Sequence, residues 1–224
     1  MNTENLYIII PAKDEGKRIG GVLRHLQMLN YHNVVVVNDG SNDNTGDVAR
    51  SYGATVVNHL VNLGAGAATQ TGIEYALSQG AEVIVTLDGD HQHLPDDINT
   101  LVNTLHEKKV DVVIGSRFLA DNDGIPPSRV FYNKIANVVT YLFTGMLVSD
   151  SQSGMKALRA GFAQKAAIRR NGFEFCIEII RYIKLHNATW CEVPISVVYT
   201  KDTMSKGQGL FTGVKMMFRL MKSF

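Results

Sequence analysis

Residues 82–96 read EVIVTLDGDHQHLPD. Val83, Ile84, Val85 and Leu87 put apolar side chains on both faces of a short run, so Glu82–Leu87 reads as a strand buried on both sides. The run gives way to Asp88, Gly89 and Asp90. Pro95 and Asp96 then make a good helix start, and Ile98, Leu101, Val102 and Leu105 continue at helical spacing as far as Lys108. A two-faced strand handed through a polar turn to an amphipathic helix is the repeating unit of a parallel sheet covered by helices.

The same unit recurs outward from this stretch. Upstream, strands are expected at Leu6–Ile10, Val34–Val37 and Thr55–Val57, with helices at Arg18–Met28, Thr45–Tyr52 and Gly66–Leu77. Downstream, Asp111–Ile114 is the next strand. The pattern therefore predicts an α/β, Rossmann-like, mostly parallel sheet flanked by helices. Past Arg117 the pattern breaks. LADNDGIPPS (119–128) reads as a polar loop, Val130–Phe143 as a helix, SDSQSG (149–154) as turns and Phe173–Leu185 as a helix. Thr189–Val193 and Ile195–Tyr199 read as short strands parted by Pro194, which favours a sheet edge or a bulge. A polar stretch at 200–209 precedes a last helix, about Leu210–Met221. No repeat or linker appears, so one domain is expected over 1–224, in three stretches: 6–117, 118–209 and an amphipathic helix at 210–224.

With 224 residues, 45% of them hydrophobic, the chain can bury a core large enough to frame a cleft. A net charge of +1 argues against a nucleic-acid partner. Cys176 and Cys191 are too few for a disulfide framework and lack metal-motif spacing. The opening MNTENLYIII has no basic segment and only a short apolar run, and no stretch nears the ~20 apolar residues of a membrane span. The expected location is the cytoplasm, or at most a membrane surface.

Ligands of open parallel sheets bind beyond the carboxyl ends of the strands. Polar residues gather at those ends here: PAKDEG (11–16), NDGSNDNT (38–45), NHLVNLGAG (58–66), DGD (88–90) and GSR (115–117). Asp39 stands at a strand tip, where a carboxylate can accept from a base or a ribose hydroxyl. Ser41–Thr45 also reads simply as a helix-capping loop. NLGAGAATQTG (62–72) is neither a dinucleotide fingerprint nor a phosphate-binding P-loop; it is a glycine turn for close packing, with a substrate contact left open. Asp88 and Asp90 repel one another unless a positive charge lies between them. A hard cation, Mg2+ or Mn2+, supplies that charge and takes carboxylates, waters and phosphate oxygens. Gln92 adds a neutral oxygen, and Gly89 is expected to let the backbone pass close to the ligand. His91 and His93 fit no strong zinc motif.

In order, PAKDE, VVNDGSNDNT, NLGAGAATQTG, TLDGDHQHLPD, VIGSRF, SDSQSGMKALR and FEFCIEI resemble the motifs of family-2 glycosyltransferases of the glycosyltransferase A fold, nearest to the dolichyl- and polyprenyl-phosphate mannose or glucose synthases. The resemblance runs from residue 6 to about 206. It implies a metal-dependent, inverting hexosyltransferase using a UDP- or GDP-linked sugar. Pro11, Ala12, Glu15 and Asp39 would then hold base and ribose, and Asp88, Asp90 and Gln92 the metal that bridges the diphosphate. Arg117 and Arg129 would serve donor and acceptor phosphates. Asp150, Ser153 and Glu174 would lie on the acceptor side. Lys13-Asp14 and Asn38-Asp39 depart from the family pattern, which leaves the base open.

A phosphate acceptor is already anionic and needs no strong base, whereas a saccharide or protein hydroxyl does, with Glu174 or Asp150 as candidates. Hydroxyl acceptors and a sugar-1-phosphate nucleotidyltransferase remain as alternatives, although PAKDEG is a poor match for the latter's glycine-rich loop. In GLFTGVKMMFRLMKSF (209–224), Leu210, Val214, Met217 and Met221 recur at helical spacing, and from Lys201 onward five bases face only Asp202. This stretch is expected to be a basic amphipathic helix on a membrane interface, on the domain's own core, or on a partner that includes a second copy of the chain.

Overall fold

A computed structural model describes residues 5–120, 122, 125–172 and 174–198. The expected loop at 200–209 and the helix at 210–224 lie outside the described residues. Seven strands are β1 (Leu6–Ala12), β2 (Val34–Asp39), β3 (Thr55–His59), β4 (Val83–Thr86), β5 (Val112–Ser116), β6 (Lys156–Arg159) and β7 (Trp190–Pro194). They form one sheet in the order β3-β2-β1-β4-β6-β5-β7. Every strand but β6 runs in the same direction.

The seven helices among the described residues are α1 (Ile19–Met28), α2 (Thr45–Ser51), α3 (Ala65–Ser78), α4 (Asp97–Glu107), α5 (Pro127–Thr144), α6 (Ala160–Ala163) and α7 (Phe175–Leu185). The sheet splits the apolar core into two layers. Ile8, Ile10, Val36 and Val85 face α1 and α4 through Val22, Leu26, Ile98 and Leu101. Ile9, Val35, Ile84 and Ile114 face Ile73, Ile179 and Ile180 of α3 and α7. This alternation is why the strands read as apolar on both faces.

Three expectations change. KALR (156–159), unassigned above, is β6, the antiparallel strand between β4 and β5. Four residues with a lysine and an arginine carry no period of their own; pairing on both sides makes the strand. Ile195–Tyr199 is not a strand in its described part, where Val197 makes an isolated bridge to His93. α5 begins at Pro127, earlier than Val130, because a proline at the first helical position loses no hydrogen bond. Pro194 ends β7 at the sheet edge, where a missing N–H is tolerated.

Candidate active site

The carboxyl ends of β1, β2, β4 and β5 share one edge of the sheet. Antiparallel β6 starts at that edge: Lys156 pairs in register with Thr86 of β4 and Ile114 of β5. The segment 149–154 therefore enters the sheet between Asp88 and Arg117, residues far from it in sequence.

The turns after β1 and β2 are joined by hydrogen bonds. The Asp14 N–H donates to Ser41 Oγ at 3.0 Å, Glu15 N–H to Thr45 Oγ1 at 2.9 Å and Gly16 N–H to Asp43 Oδ2 at 3.0 Å. Asn42 N–H returns a bond to Asp14 Oδ1 at 2.8 Å. Lys13 reaches the Gly40 carbonyl at 3.0 Å. The polar run 41–45 thus fastens two strand tips together as well as opening α2. Pro11 and Ala12 end β1 beside Asn38, and Glu15 pairs with Arg18 at 2.6 Å. Asp39 is buried. Its carboxylate accepts from Leu63 N–H (2.8 Å) and Gly64 N–H (2.7 Å), and lies 2.8 Å from His59 Nδ1. It anchors the 59–64 loop from the tip of β2.

The glycines at 64 and 66 are packing residues: a β-carbon on either would overlap the Asn171 or Arg170 carbonyl. Gly66 N–H donates to Asn171 O at 2.9 Å, so the 168–172 loop rests on the start of α3. Gly89 also packs inward, its α-carbon facing Ile10 and Ile19.

At the end of β4 both aspartates are half-buried. Asp90 folds back on its own turn, accepting from Gln92 N–H at 3.0 Å and Gln92 Nε2 at 2.7 Å. Burial, then the charge of Asp88, pushes the Asp90 carboxyl above the ordinary aspartate range. Burial also acts to raise Asp88, but His93, Arg117 and Lys156 outweigh it and hold that carboxyl below its ordinary value. His93 Nδ1 is 3.2 Å from Asp88 Oδ2 and poorly aligned for a hydrogen bond.

Among the described residues no three His, Cys, Asp or Glu side chains converge on one point. The donors available are two carboxylates and an amide oxygen, an all-oxygen set that fits Mg2+ or Mn2+ completed by water and phosphate oxygens.

Arg117 follows β5, and Asp150 is fully buried opposite it. Arg117 Nε and Nη2 donate to Asp150 Oδ2 and Oδ1 at 2.6 and 2.7 Å, and the Arg117 backbone N–H adds a bond at 3.1 Å. Ser149 is held by Glu192 and by Asn133 and Asn137 of α5. Ser153 is fully buried, and its carbonyl accepts from Lys156 Nζ and, at 3.5 Å, from Cys176 Sγ. Gly154 O accepts from Thr86 Oγ1 at 2.6 Å. A β-carbon on Gly154 would stand 2.5 Å from both Asp88 oxygens.

Asp88, Asp90, Gln92, Arg117, Asp150 and Ser153 therefore meet at one place. Pro11, Ala12, Glu15 and Asp39 line the neighbouring strand tips. Arg129 lies on the first turn of α5. Glu174, buried, begins α7 beside Gly172, while Glu178 accepts the N–H groups of Arg169 and Arg170 at 2.9 Å each. Lys156, Thr86 and Glu192 escape the sequence reading. The one available signal was a lysine inside the otherwise apolar GMKAL, which means little until β6 is known to be central.

A mostly parallel sheet carrying an acid pair at its carboxyl edge, faced by a buried arginine–aspartate pair, has the layout of a glycosyltransferase A-type domain. A family model described as "Glycosyl transferase family 2" matches residues 7–166. The chain belongs to glycosyl transferase family 2 and is a glycosyltransferase. It is 32% identical to the UDP-N-acetylglucosamine–dolichyl-phosphate N-acetylglucosaminyltransferase of Methanococcus voltae, covering 96% of this chain and 94% of that protein. It is 26% identical to the polyprenol monophosphomannose synthase of Mycolicibacterium smegmatis, covering 92% and 82%. Among solved structures, glucosyl-3-phosphoglycerate synthase of Mycobacterium tuberculosis, in complex with Mn2+, UDP and glucosyl-3-phosphoglycerate, superposes with a TM-score of 0.75 at 17% identity, over 97% of this chain and 77% of that one. At that identity the likeness is one of fold.

Proposed function

We propose that this chain transfers a hexose, with inversion, from a UDP- or GDP-linked donor to a polyprenyl or dolichyl phosphate at the cytoplasmic face of a membrane. The observation that carries the reading is the state of Asp150. Fully buried, it has both carboxylate oxygens engaged by Arg117 through two charge-assisted bonds, so its place is that of the partner that positions Arg117. That disfavours a hydroxyl acceptor and suits a phosphate acceptor, which brings its own negative charge. The names of the two curated relatives support the same acceptor class.

In this reading Pro11, Ala12, Glu15 and Asp39 line the base and ribose side. Asp88, Asp90 and Gln92 would hold a Mg2+ or Mn2+ ion, which when bound supplies charge neutralisation to the departing diphosphate. Arg117 and Arg129 orient the acceptor phosphate behind the anomeric carbon. A phosphate oxygen forms the new bond to that carbon as the bond to the diphosphate breaks, and the electron pair leaves on the nucleoside diphosphate. One displacement inverts the centre, and no proton changes hands. The arginine–aspartate pair keeps Arg117 fixed in place, so little reorganisation accompanies the transition state.

Transfer assays with UDP-glucose, UDP-N-acetylglucosamine and GDP-mannose against a short polyprenyl phosphate test the proposal. One donor should be consumed and yield the sugar phospholipid. Consumption with a saccharide acceptor and none with the lipid overturns it.

A further inference from the structure

Glu192 is a carboxylate on the edge strand β7, paired in register with Ile114 of β5, and the transfer step gives it no task. Its Oε1 accepts from Ser149 N–H at 2.9 Å and from Ser149 Oγ at 2.8 Å, and its Oε2 lies 3.1 Å from the same N–H. Asp150 N–H points at Oε1 from 3.4 Å. Ser149 Oγ is also 2.6 Å from Ser116 Oγ, which accepts from Phe118 N–H at 3.3 Å. A hydroxyl has one proton to give, and a carboxylate only accepts. Ser149 therefore donates to Glu192, and Ser116 to Ser149. The chain has one direction: Phe118 N–H to Ser116, Ser116 to Ser149, Ser149 to Glu192.

That chain flanks the arginine–aspartate fork. Ser116 and Phe118 bracket Arg117, and Ser149 precedes Asp150. From the other side Asn133 and Asn137 of α5 donate to the Ser149 carbonyl at 3.1 and 2.8 Å, and Asn137 Oδ1 accepts from Ser151 N–H at 2.9 Å. Helix α5 thus holds the carbonyl of Ser149, while Glu192 holds its N–H and its hydroxyl. Two parallel bonds of 2.6 and 2.7 Å fix both the place and the plane of the Arg117 guanidinium, so a small shift of Asp150 is passed on to it. A carboxamide at 192 has the size of the carboxylate but not its polarity. Ser149 N–H lies against both carboxylate oxygens, so in either orientation of the amide an N–H donor faces an N–H donor.

We propose that Glu192 is a positioning residue for sugar transfer: by holding Ser149, and through it Asp150, it sets the plane of the Arg117 guanidinium. This rests on the proposed function only in that Arg117 is the group that meets the acceptor phosphate.

Glu192→Gln in the full chain is the test, read in two ways. By NMR, the Arg117 Nε–H resonance, identified by its loss in Arg117→Lys, should exchange with solvent at least tenfold faster in Glu192→Gln than in the parent. In transfer assays kcat should fall at least tenfold, with UDP or GDP binding in Mn2+ within about twofold of the parent. In an Arg117→Lys background the same substitution should change kcat by less than about twofold, because the group it positions is gone. A residue that merely supports the fold would cost the same in both backgrounds, and that result overturns the proposal. So does a parental Arg117 exchange rate in Glu192→Gln. If Glu192→Gln does not fold, Ser149→Ala cuts the same chain and should speed Arg117 exchange; unchanged exchange there overturns the proposal equally. Transfer to a polyprenyl phosphate that Glu192→Gln leaves intact would remove this inference and keep the reaction. Faster Arg117 exchange, with a lower kcat toward a saccharide as the sole acceptor, would keep the inference and overturn the lipid acceptor.

Discussion

Arg117 and Asp150 face each other as a fork on a fork, two parallel bonds of 2.6 and 2.7 Å between strand β5's exit and the segment that leads into β6. Asp150 is fully buried, so breaking the pair strands a guanidinium in a protein interior. Asp150→Asn is expected to destabilise the fold by about 3–5 kcal/mol, measured by urea unfolding. A general base would behave otherwise: its amide variant would keep stability and lose only turnover. An Asp150→Asn protein as stable as the parent would reassign Asp150 to proton abstraction.

Gly154 meets Asp88 with no room to spare. Gly154→Ala would bring a β-carbon within 2.5 Å of both carboxylate oxygens, and Thr86, bonded to the Gly154 carbonyl, resists a backbone shift. Asp88 is then the group that moves. The expected outcome is at least tenfold weaker Mn2+-dependent donor binding in calorimetry, with an overpacking cost of about 1–3 kcal/mol. Undisturbed binding would mean that Asp88's position is not critical.

The two acids at the end of β4 titrate in opposite directions. The raised carboxyl of Asp90 binds its proton more tightly folded than unfolded. That contribution to stability is fully present below the unfolded value near 3.8 and is lost as pH rises through the folded value. At neutral pH Asp90 is therefore a burden on the cation-free protein. Asp90→Asn should melt higher than the parent in chelator at pH 7, and the gap should close as the pH falls toward 4. The same variant should lose the cation response, which in the parent adds about 2.7 kcal/mol at 100 times Kd. Asp88, depressed, works the other way: its stabilisation is present above the unfolded value and disappears as acid protonates it.

Lys156 carries a charge with no exposure to water. Its ammonium donates to the Ser153 carbonyl and helps hold Asp88 ionised. Lys156→Met fills the same space without the charge. It is expected to leave the Ser153 carbonyl without its ammonium donor, at a cost of about 1–3 kcal/mol. It should also shift the acid-unfolding midpoint to higher pH, because Asp88 loses one of the charges that keep it deprotonated. Lys156→Arg should restore the acid midpoint if charge is what matters. A Lys156→Met protein with the parental acid-unfolding curve would exclude this role.

Much of the molecule was legible before any coordinates. Strands buried on both faces cannot hide their composition, so β1, β2, β4 and β5, with the helices that cover them, follow from apolar periodicity alone. The place of the DGD acids follows too, because the apolar run of β4 ends just before them and puts them at the strand's exit. β6 and the segment before it were decided by tertiary structure. KALR becomes a central strand only because β4 and β5 offer it hydrogen-bonding edges on both sides, and that insertion sets Gly154 against Asp88, Lys156 beneath it and Asp150 in the grip of Arg117. The same holds for α5. Its sequence shows an apolar stripe and a polar stripe, and only the packing of Asn133 and Asn137 onto residues 149–151 decided that the polar one faces inward. Local periodicity reports which side chains share a face; which face is inside depends on long-range pairing that no local stretch encodes.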